Sequence, residues 1–420
     1  MPRNSEKKPD KEKEKAAEAA SNEEIGMLWR VLLKYGVPPK IVRILIAMHE
    51  MVNVKFDVEG VVKTIRSIIG VKQGDLLGPP LFDLYIAAIM ETWRETSSYE
   101  LCTFRTRRDF QMTGRRFDAK GESFSVGDSE YADDTGLAFC SRLDVEEQTP
   151  HVMTHFSKWG MEIHAGVIDP MVHSGLLDFE ALAPTKGSKS EVLFCSKPLH
   201  MYSNRATFDG ADLSPILLPN LGFMEVVDRF AYLGDMIARN GGDALAVNAR
   251  VESGCKAFGA LRSCIFANSS VNSAAKKAVY EAIVISISLY GSETWSLTEL
   301  LLQRLRVMQA HHFRVMSRVT RKHVWDNHIT TQALGQQLGL EMIDMYLARR
   351  QARWVGHVSR MPFDRLPRRM LSSWVPHRRP VGAPTMTYGR SVFKALDKFH
   401  LDVPRWPELA ADRAAWREML

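Results

Sequence analysis

Strand signals stop at residue 243. Before that point apolar residues switch repeatedly between helical spacing and strict alternation, and after it only helical spacing remains as far as Met361. This division calls for an α+β first part, in which mostly hairpin-connected strands alternate with helices, followed by an all-helical second part. With 420 residues the chain is long enough for one sizeable core and a second, smaller one.

The first helix is "MLWRVLLKYG", with Leu28, Val31, Leu32 and Tyr35 on one face and Gly36 as a left-handed cap ahead of "VPP". In "PKIVRILIAMHEMV" the spacing sets Ile41, Ile44, Leu45 and Met48 on one apolar face, making a helical pair across a short turn. Val54, Phe56 and Val58 then alternate up to Glu59-Gly60, and "VVKTIRSI" returns as the second arm of a hairpin. A Gly and Pro loop leads into a long apolar helix carrying Leu81, Phe82, Tyr85, Ile86, Ile89 and Trp93. "SFSVGDSEYADDTGLAFC" reads as two strands, and the next helix is expected to start with Thr149 as N-cap and Pro150 at its first position. "SEVLFCS" and "RFAYLGDMIA" are further β segments. Four helical patterns follow from Asp243, then a loop or flexible arm, "RPVGAPTMTYGR", and a short helix containing Trp416.

Charge separates the two parts further. The formal net charge is +6, yet residues 301–420 hold 21 Lys or Arg against 9 Asp or Glu, leaving the rest acidic on balance. A basic C-terminal region suits phosphate backbones, or is simply a solvated surface. The first residues, "MPRNSEKKPDKEKEKAAEAASNEE", read as a charged tail without a signal-peptide core. No apolar run is long enough for a membrane span. The five cysteines are scattered and never in C-x-x-C spacing, so reduced, mostly buried thiols in an intracellular protein, nuclear or cytoplasmic, are expected.

Asp133 and Asp134 need a reason of their own. Adjacent acids at a turn satisfy turn chemistry, but flanked by Tyr131-Ala132 and Leu137-Ala138-Phe139 they are expected to rise partly desolvated from a sheet. A hard cation such as Mg2+ neutralises such a pair, its coordination completed by water and phosphate oxygens.

Tyr131-Ala132-Asp133-Asp134 resembles the signature hairpin of reverse transcriptases, and further matches occur in the family's order. "GVKQGDLLGPPLF" is similar to a loop and helix of non-LTR retrotransposon polymerases, with Lys72 where that family usually has Arg. "WGMEIHAG" and "SKSEVLF" resemble the next block, "RFAYLGDMI" the primer-grip hairpin, and "SLYGSETW" and "ARWVGHVSRMPFDRLP" C-terminal helical blocks.

The resemblance implies a reverse-transcriptase palm, an antiparallel sheet with helices, over residues 25–240. It implies a helical thumb-like region over 243–320 and a basic helical region with a flexible arm over 321–420. RNA template, DNA primer or duplex, and deoxynucleoside triphosphates are the implied partners, with Mg2+ or Mn2+ clamping the attacking and leaving oxygens of an in-line phosphoryl transfer. Asp133 is then the main metal ligand and Asp134 its neighbour, while Gln73, Gly74 and Tyr131 border the nucleotide. Lys189 either protonates departing pyrophosphate or is a solvated strand-end charge. Tyr232, Leu233 and Gly234 either hold the primer or form an ordinary core hairpin. Arg349, Arg350 and Arg353, interleaved with Trp354, either grip nucleic acid or surround a core tryptophan. His311, His312, His323, His328 and His357 lack the spacing of a metal site.

One ligand of the resemblance is missing. The family's first catalytic aspartate, eight residues before a Trp, falls on Ser21, with Glu23 and Glu24 nearby and no apolar strand around it. The expectation is a truncated retroelement polymerase lacking the fingers and the first catalytic strand, its metal weakly bound and its activity impaired. A non-catalytic nucleic-acid-binding remnant is the alternative.

Overall fold

The computed structural model describes residues 26–49, 52–67, 75–106, 121–167, 187–195, 214–218, 222–374, 386–402 and 405–420. Helices dominate, and the sheets are small and antiparallel, a mixed α+β arrangement. The chain divides into two compact units. One holds the described residues of 26–102, 127–192 and 214–225, and the other those of 103–126, 193–195 and 226–420.

In the first unit, α1 (residues 26–34) ends as its spacing requires. Gly36 takes φ +84°, Val37 N–H donates to Leu32 O at 2.9 Å and Gly36 N–H donates to Leu33 O at 3.1 Å, closing the last turn. α2 (Pro39–His49) is turned the other way from expectation. Val42 is buried and Leu45 and Ile46 pack with it against Trp29, Leu32 and Leu81, whereas Ile41, Ile44 and Met48 are 47%, 52% and 48% exposed. This helix carries two apolar stripes, and periodicity does not choose between them.

β1 (Val52–Val58) and β2 (Val61–Ser67) form the expected hairpin, with Glu59 and Gly60 both at positive φ, as a two-residue connection favours. α3 (Gly78–Thr96) starts on two prolines and buries Leu81, Ile86, Ile89, Met90 and Trp93. The chain continues through β3 (Cys102–Thr106) and β4 (Ser123–Val126) to the hairpin β5 (Asp128–Tyr131) and β6 (Asp134–Leu137). The stretch expected as two strands therefore holds three, with β4 separated from β5 at Gly127.

α4 (Arg142–Lys158) begins earlier than expected. Ser141 Oγ accepts from Asp144 N–H at 3.1 Å and donates to the Asp144 carboxylate at 2.7 Å, so Ser141 is the N-cap and Pro150 lies inside the helix. Val152 and Phe156 of α4 pack on Ile89, Met90 and Trp93 of α3. A three-stranded sheet in the order β7 (Glu191–Val192), β9 (Gly222–Val226), β8 (Ile216–Leu218) completes this unit.

The second unit opens with the hairpin β10 (Arg229–Tyr232) and β11 (Asp235–Ala238). The helices that follow are α5 (Ala244–Ala260), α6 (Ser273–Val279), α7 (Glu299–Met316), α8 (Arg321–Asp326), α9 (Thr331–Leu338), α10 (Ile343–Ser359), α11 (Leu366–Leu371), α12 (Tyr388–Asp397), α13 (Trp406–Leu409) and α14 (Arg413–Glu418). Strands do not end entirely at residue 243. β12 (Ser373–Trp374) pairs with β3, but two residues are too few to show alternation.

The larger core of this unit joins Phe258, Phe266, Tyr280, Trp295, Leu305 and Phe313. Gly254 of α5 lets the helix at Ser286–Ser288 come close, since a Cβ there would stand 2.0 Å from Ser288 Oγ. A second core gathers Val355 of α10, Val392 and Leu396 of α12, Trp406 and Trp416.

Burial of the cysteines was overestimated: Cys140, Cys195, Cys255 and Cys264 are exposed and Cys102 is intermediate. Cys102 opens β3, Cys140 and Cys195 lie in the chain after β6 and β7, and Cys255 and Cys264 sit on exposed helical positions, where a small thiol is not drawn into the core. Among the described residues no helix is long and apolar enough to cross a membrane.

Candidate active site

The YADD sequence forms a hairpin tip in the first unit. Tyr131 pairs with Asp134, leaving Ala132 and Asp133 as the two-residue connection, and Ala132 takes φ +52°. A residue with a Cβ is disfavoured there by roughly 1–2 kcal/mol, so the tip is held in a strained shape by its surroundings. Asp133 and Asp134 are both exposed, as is Tyr131 at 64%. The expected partial desolvation of the two acids is therefore absent. Among the described residues β5 and β6 form a sheet of two strands, and Leu137, at the end of β6 away from the turn, packs on the apolar core.

The base of this hairpin is fastened by a residue that sequence reading missed. Arg94, in the last turn of α3, donates through Nε to Asp128 at 3.1 Å and through Nη2 to Glu130 at 2.9 Å, with a further Nη2 contact to Asp128. Nothing local marks this arginine, because its partners are more than thirty residues away. Burial first, then the hydrogen bond and charge of Asp128, push the Glu130 carboxyl up to about 7, against the lowering pull of Arg94. Unfolded, this acid loses its proton near 4.5. Its contribution to stability is accordingly full below that pH and is lost as the pH rises through about 7.

Of the other expected site residues, Gln73 and Gly74 lie outside the described residues, as do Lys72, Ser21, Glu23 and Glu24. Lys189 is exposed, and its backbone N–H donates to His164 Nδ1 at 3.1 Å.

Tyr232, Leu233 and Gly234 form the tip of the β10–β11 hairpin in the second unit, with Leu233 at φ +49° and Gly234 at +76°. Here two separate sequence blocks meet. Tyr290 of "SLYGSETW" donates its hydroxyl to Leu233 O at 2.9 Å, and Arg250 lies over the Tyr290 ring at 4.4 Å while donating to Gly234 O. Gly291, at φ +75°, is needed where a Cβ would come within 2.6 Å of the Asp235 carboxylate. The hairpin tip is thus braced from outside its own strands.

Arg349 and Arg350 of α10 are engaged within the unit. Arg349 makes a two-pronged contact with Glu341 at 2.6 and 2.8 Å and also donates to Leu420 O, and Arg350 reaches Glu293 at 3.1 Å. Arg353 is exposed, and Trp354 is half-buried with its ring 5.8 Å from that of His357. Among the described residues no three His, Cys, Asp or Glu side chains gather as a metal cluster. The donors at the YADD tip are two adjacent carboxylates. Such a pair fits one hard divalent cation completed by water and phosphate oxygens, and falls short of a two-ion site.

No protein-family model matches the chain. It is similar to an uncharacterized transposon-derived protein of Caenorhabditis elegans, 22% identical over 198 residues, which span 46% of this chain and 70% of that protein.

Proposed function

We propose that this chain derives from the reverse transcriptase of a transposable element, with the β5–β6 hairpin as its catalytic turn. The observation that carries this reading is the placement of Asp133 in an exposed, strained two-residue tip with Asp134 directly after it, reachable by a cation and by nucleotide phosphates together. The similarity to a transposon-derived protein agrees with that origin. A bound Mg2+ or Mn2+ supplies charge stabilisation for the transferring phosphoryl group.

In this reading Asp133 and Asp134 hold the cation. Arg94 fixes the strand that ends at Tyr131, and the tip at Tyr232, Leu233 and Gly234 contacts the primer strand. Palm, thumb-like and C-terminal regions over 25–240, 243–320 and 321–420 belong to the same proposal. RNA template, DNA primer and deoxynucleoside triphosphates are its ligands.

A primer annealed to an RNA template, with deoxynucleoside triphosphates and Mg2+ or Mn2+, tests it. The chain is expected to extend the primer slowly, and Asp133→Ala is expected to lower the rate by about a hundredfold or more, since it removes a group serving several kcal/mol of charge stabilisation. Binding of the primer-template without extension under either metal supports the second reading, a non-catalytic nucleic-acid-binding remnant. That reading is favoured by the serine at position 21 and by the two-carboxylate donor set.

A further inference from the structure

None of the motifs above accounts for a groove of about 580 Å³ in the second unit. Arg314 of α7 and Arg321, Lys322 and Trp325 of α8 line it, with Val324 and Ile329 as its apolar floor. Trp325 is 80% exposed. By contrast Trp29, Trp93, Trp295, Trp406 and Trp416 are buried, and Trp159 and Trp354 are half-buried. An exposed indole beside cations is the combination on which an unpaired base can stack while its phosphates are held.

The backbone holds this surface in place. α7 closes with Val319 N–H donating to Arg314 O at 3.0 Å and Arg318 N–H donating to Val315 O at 3.1 Å, which puts Arg318 at φ +56°. Thr320 then caps α8 by accepting from His323 N–H at 3.1 Å. α8 closes in the same manner, Ile329 N–H to Val324 O at 3.0 Å and His328 N–H to Trp325 O at 3.2 Å, with His328 at φ +50°. Both closing residues occupy a conformation that favours glycine, yet both carry basic side chains.

The charges are also unspent. Arg306, Arg349 and Arg350 all have carboxylate partners. Among the described residues Arg314, Arg318, Arg321 and Lys322 have none, and the one acid of α8, Asp326, is exposed and does not line the groove. Burial, and the Arg314 and Arg262 charges beside it, hold His311 below the usual imidazole range, which agrees with a locally positive field.

We propose that this groove binds single-stranded nucleic acid, with Trp325 stacking on an unpaired base and Arg314, Arg321 and Lys322 holding the flanking phosphates. A duplex hides its base faces and leaves the ring without a partner, whereas a single strand offers a face at every nucleotide. The inference shares its ligand class with the proposed function but requires neither the YADD acids nor any metal.

The test is fluorescence anisotropy of the full chain with a labelled oligothymidylate or oligouridylate of roughly ten nucleotides. Trp325→Ala is expected to weaken binding by about 5- to 100-fold, and Trp325→Phe to retain most of it. Arg321→Gln with Lys322→Gln is expected to weaken binding and flatten its salt dependence by roughly one to two in log–log slope. Binding of a blunt duplex of equal length is expected to be insensitive to Trp325→Ala. Affinity measured in EDTA is expected to match that in Mg2+, whereas primer extension requires the cation, which separates the two proposals. Equal affinity of Trp325→Ala and wild type, with circular dichroism unchanged, overturns the inference. Retention of poly-glutamate in place of oligonucleotide overturns it equally.

Discussion

Trp416→Ala is expected to destabilise the second unit by about 3–5 kcal/mol, read as a lower urea midpoint in far-UV circular dichroism. The indole is 1% exposed, donates from Nε1 to Ala352 O at 3.1 Å, and lies beside Trp406 with ring centroids 6.4 Å apart. It rests on Gly356 of α10, where a Cβ would stand 2.3 Å from Nε1. Gly356→Ala in the wild-type background therefore overpacks the contact and costs about 1–3 kcal/mol. In the Trp416→Ala background the three atoms nearest that Cβ are gone, and the same change gains up to about 1 kcal/mol, because alanine is the better helix former. The reversal of sign is the test. If Gly356→Ala costs the same in both backgrounds, the glycine serves something other than this indole. Trp325→Ala, a surface change, is expected to stay within about 0.5 kcal/mol.

Acid should unfold the second unit through a single imidazole. His312 is 1% exposed, stacked on Phe258 at 3.9 Å between centroids, with Nδ1 3.1 Å from the Tyr280 hydroxyl. Burial first, and then the neighbouring charge of His311, pull its pKa down to about 3. The unfolded chain protonates the same ring near 6.5, so between these values the unfolded state binds more protons. Stability from this group is complete above that upper value and falls as the pH drops, by about 1.4 kcal/mol per pH unit. Urea midpoints measured from neutral pH to pH ~4 should show that slope, and His312→Phe should flatten it. An unchanged slope in the variant would assign the acid sensitivity to carboxylates such as Asp344. Burial works to raise that acid, but the Arg306 guanidinium holds it below its usual range.

How much of this was legible before the fold depended on how local each cause is. Gly36, Glu59-Gly60 and the YADD turn are set by neighbours within a few residues, and all three turned out as expected. The inward face of α2 was not legible, since Ile41 and Val42 are equally apolar and only Trp29 and Leu81 decide between them. Pro150 looked like a helix start, but the Ser141 cap nine residues earlier overrides it. Arg94, the brace at Tyr290, and the contact of Gly356 with Trp416 join residues far apart in sequence, and no local pattern announces them. The wide helical turns at Arg262–Phe266 and Tyr280–Ile285 likewise have no compositional signature. Aspartates 133 and 134 were identified by resemblance, whereas their openness to solvent came only with the two-stranded hairpin.

That hairpin has one further consequence. A two-stranded ribbon is marginal by itself in water, and beside the packing of Leu137 on the core of α3 and α4 this one is held by an electrostatic latch, Arg94 gripping Asp128 and Glu130. With the arginine side chain 43% exposed, the latch weakens as ionic strength rises. Deuterium should therefore enter the amides of residues 128–137 sooner in concentrated salt, while those of α3 beneath remain as slow as before.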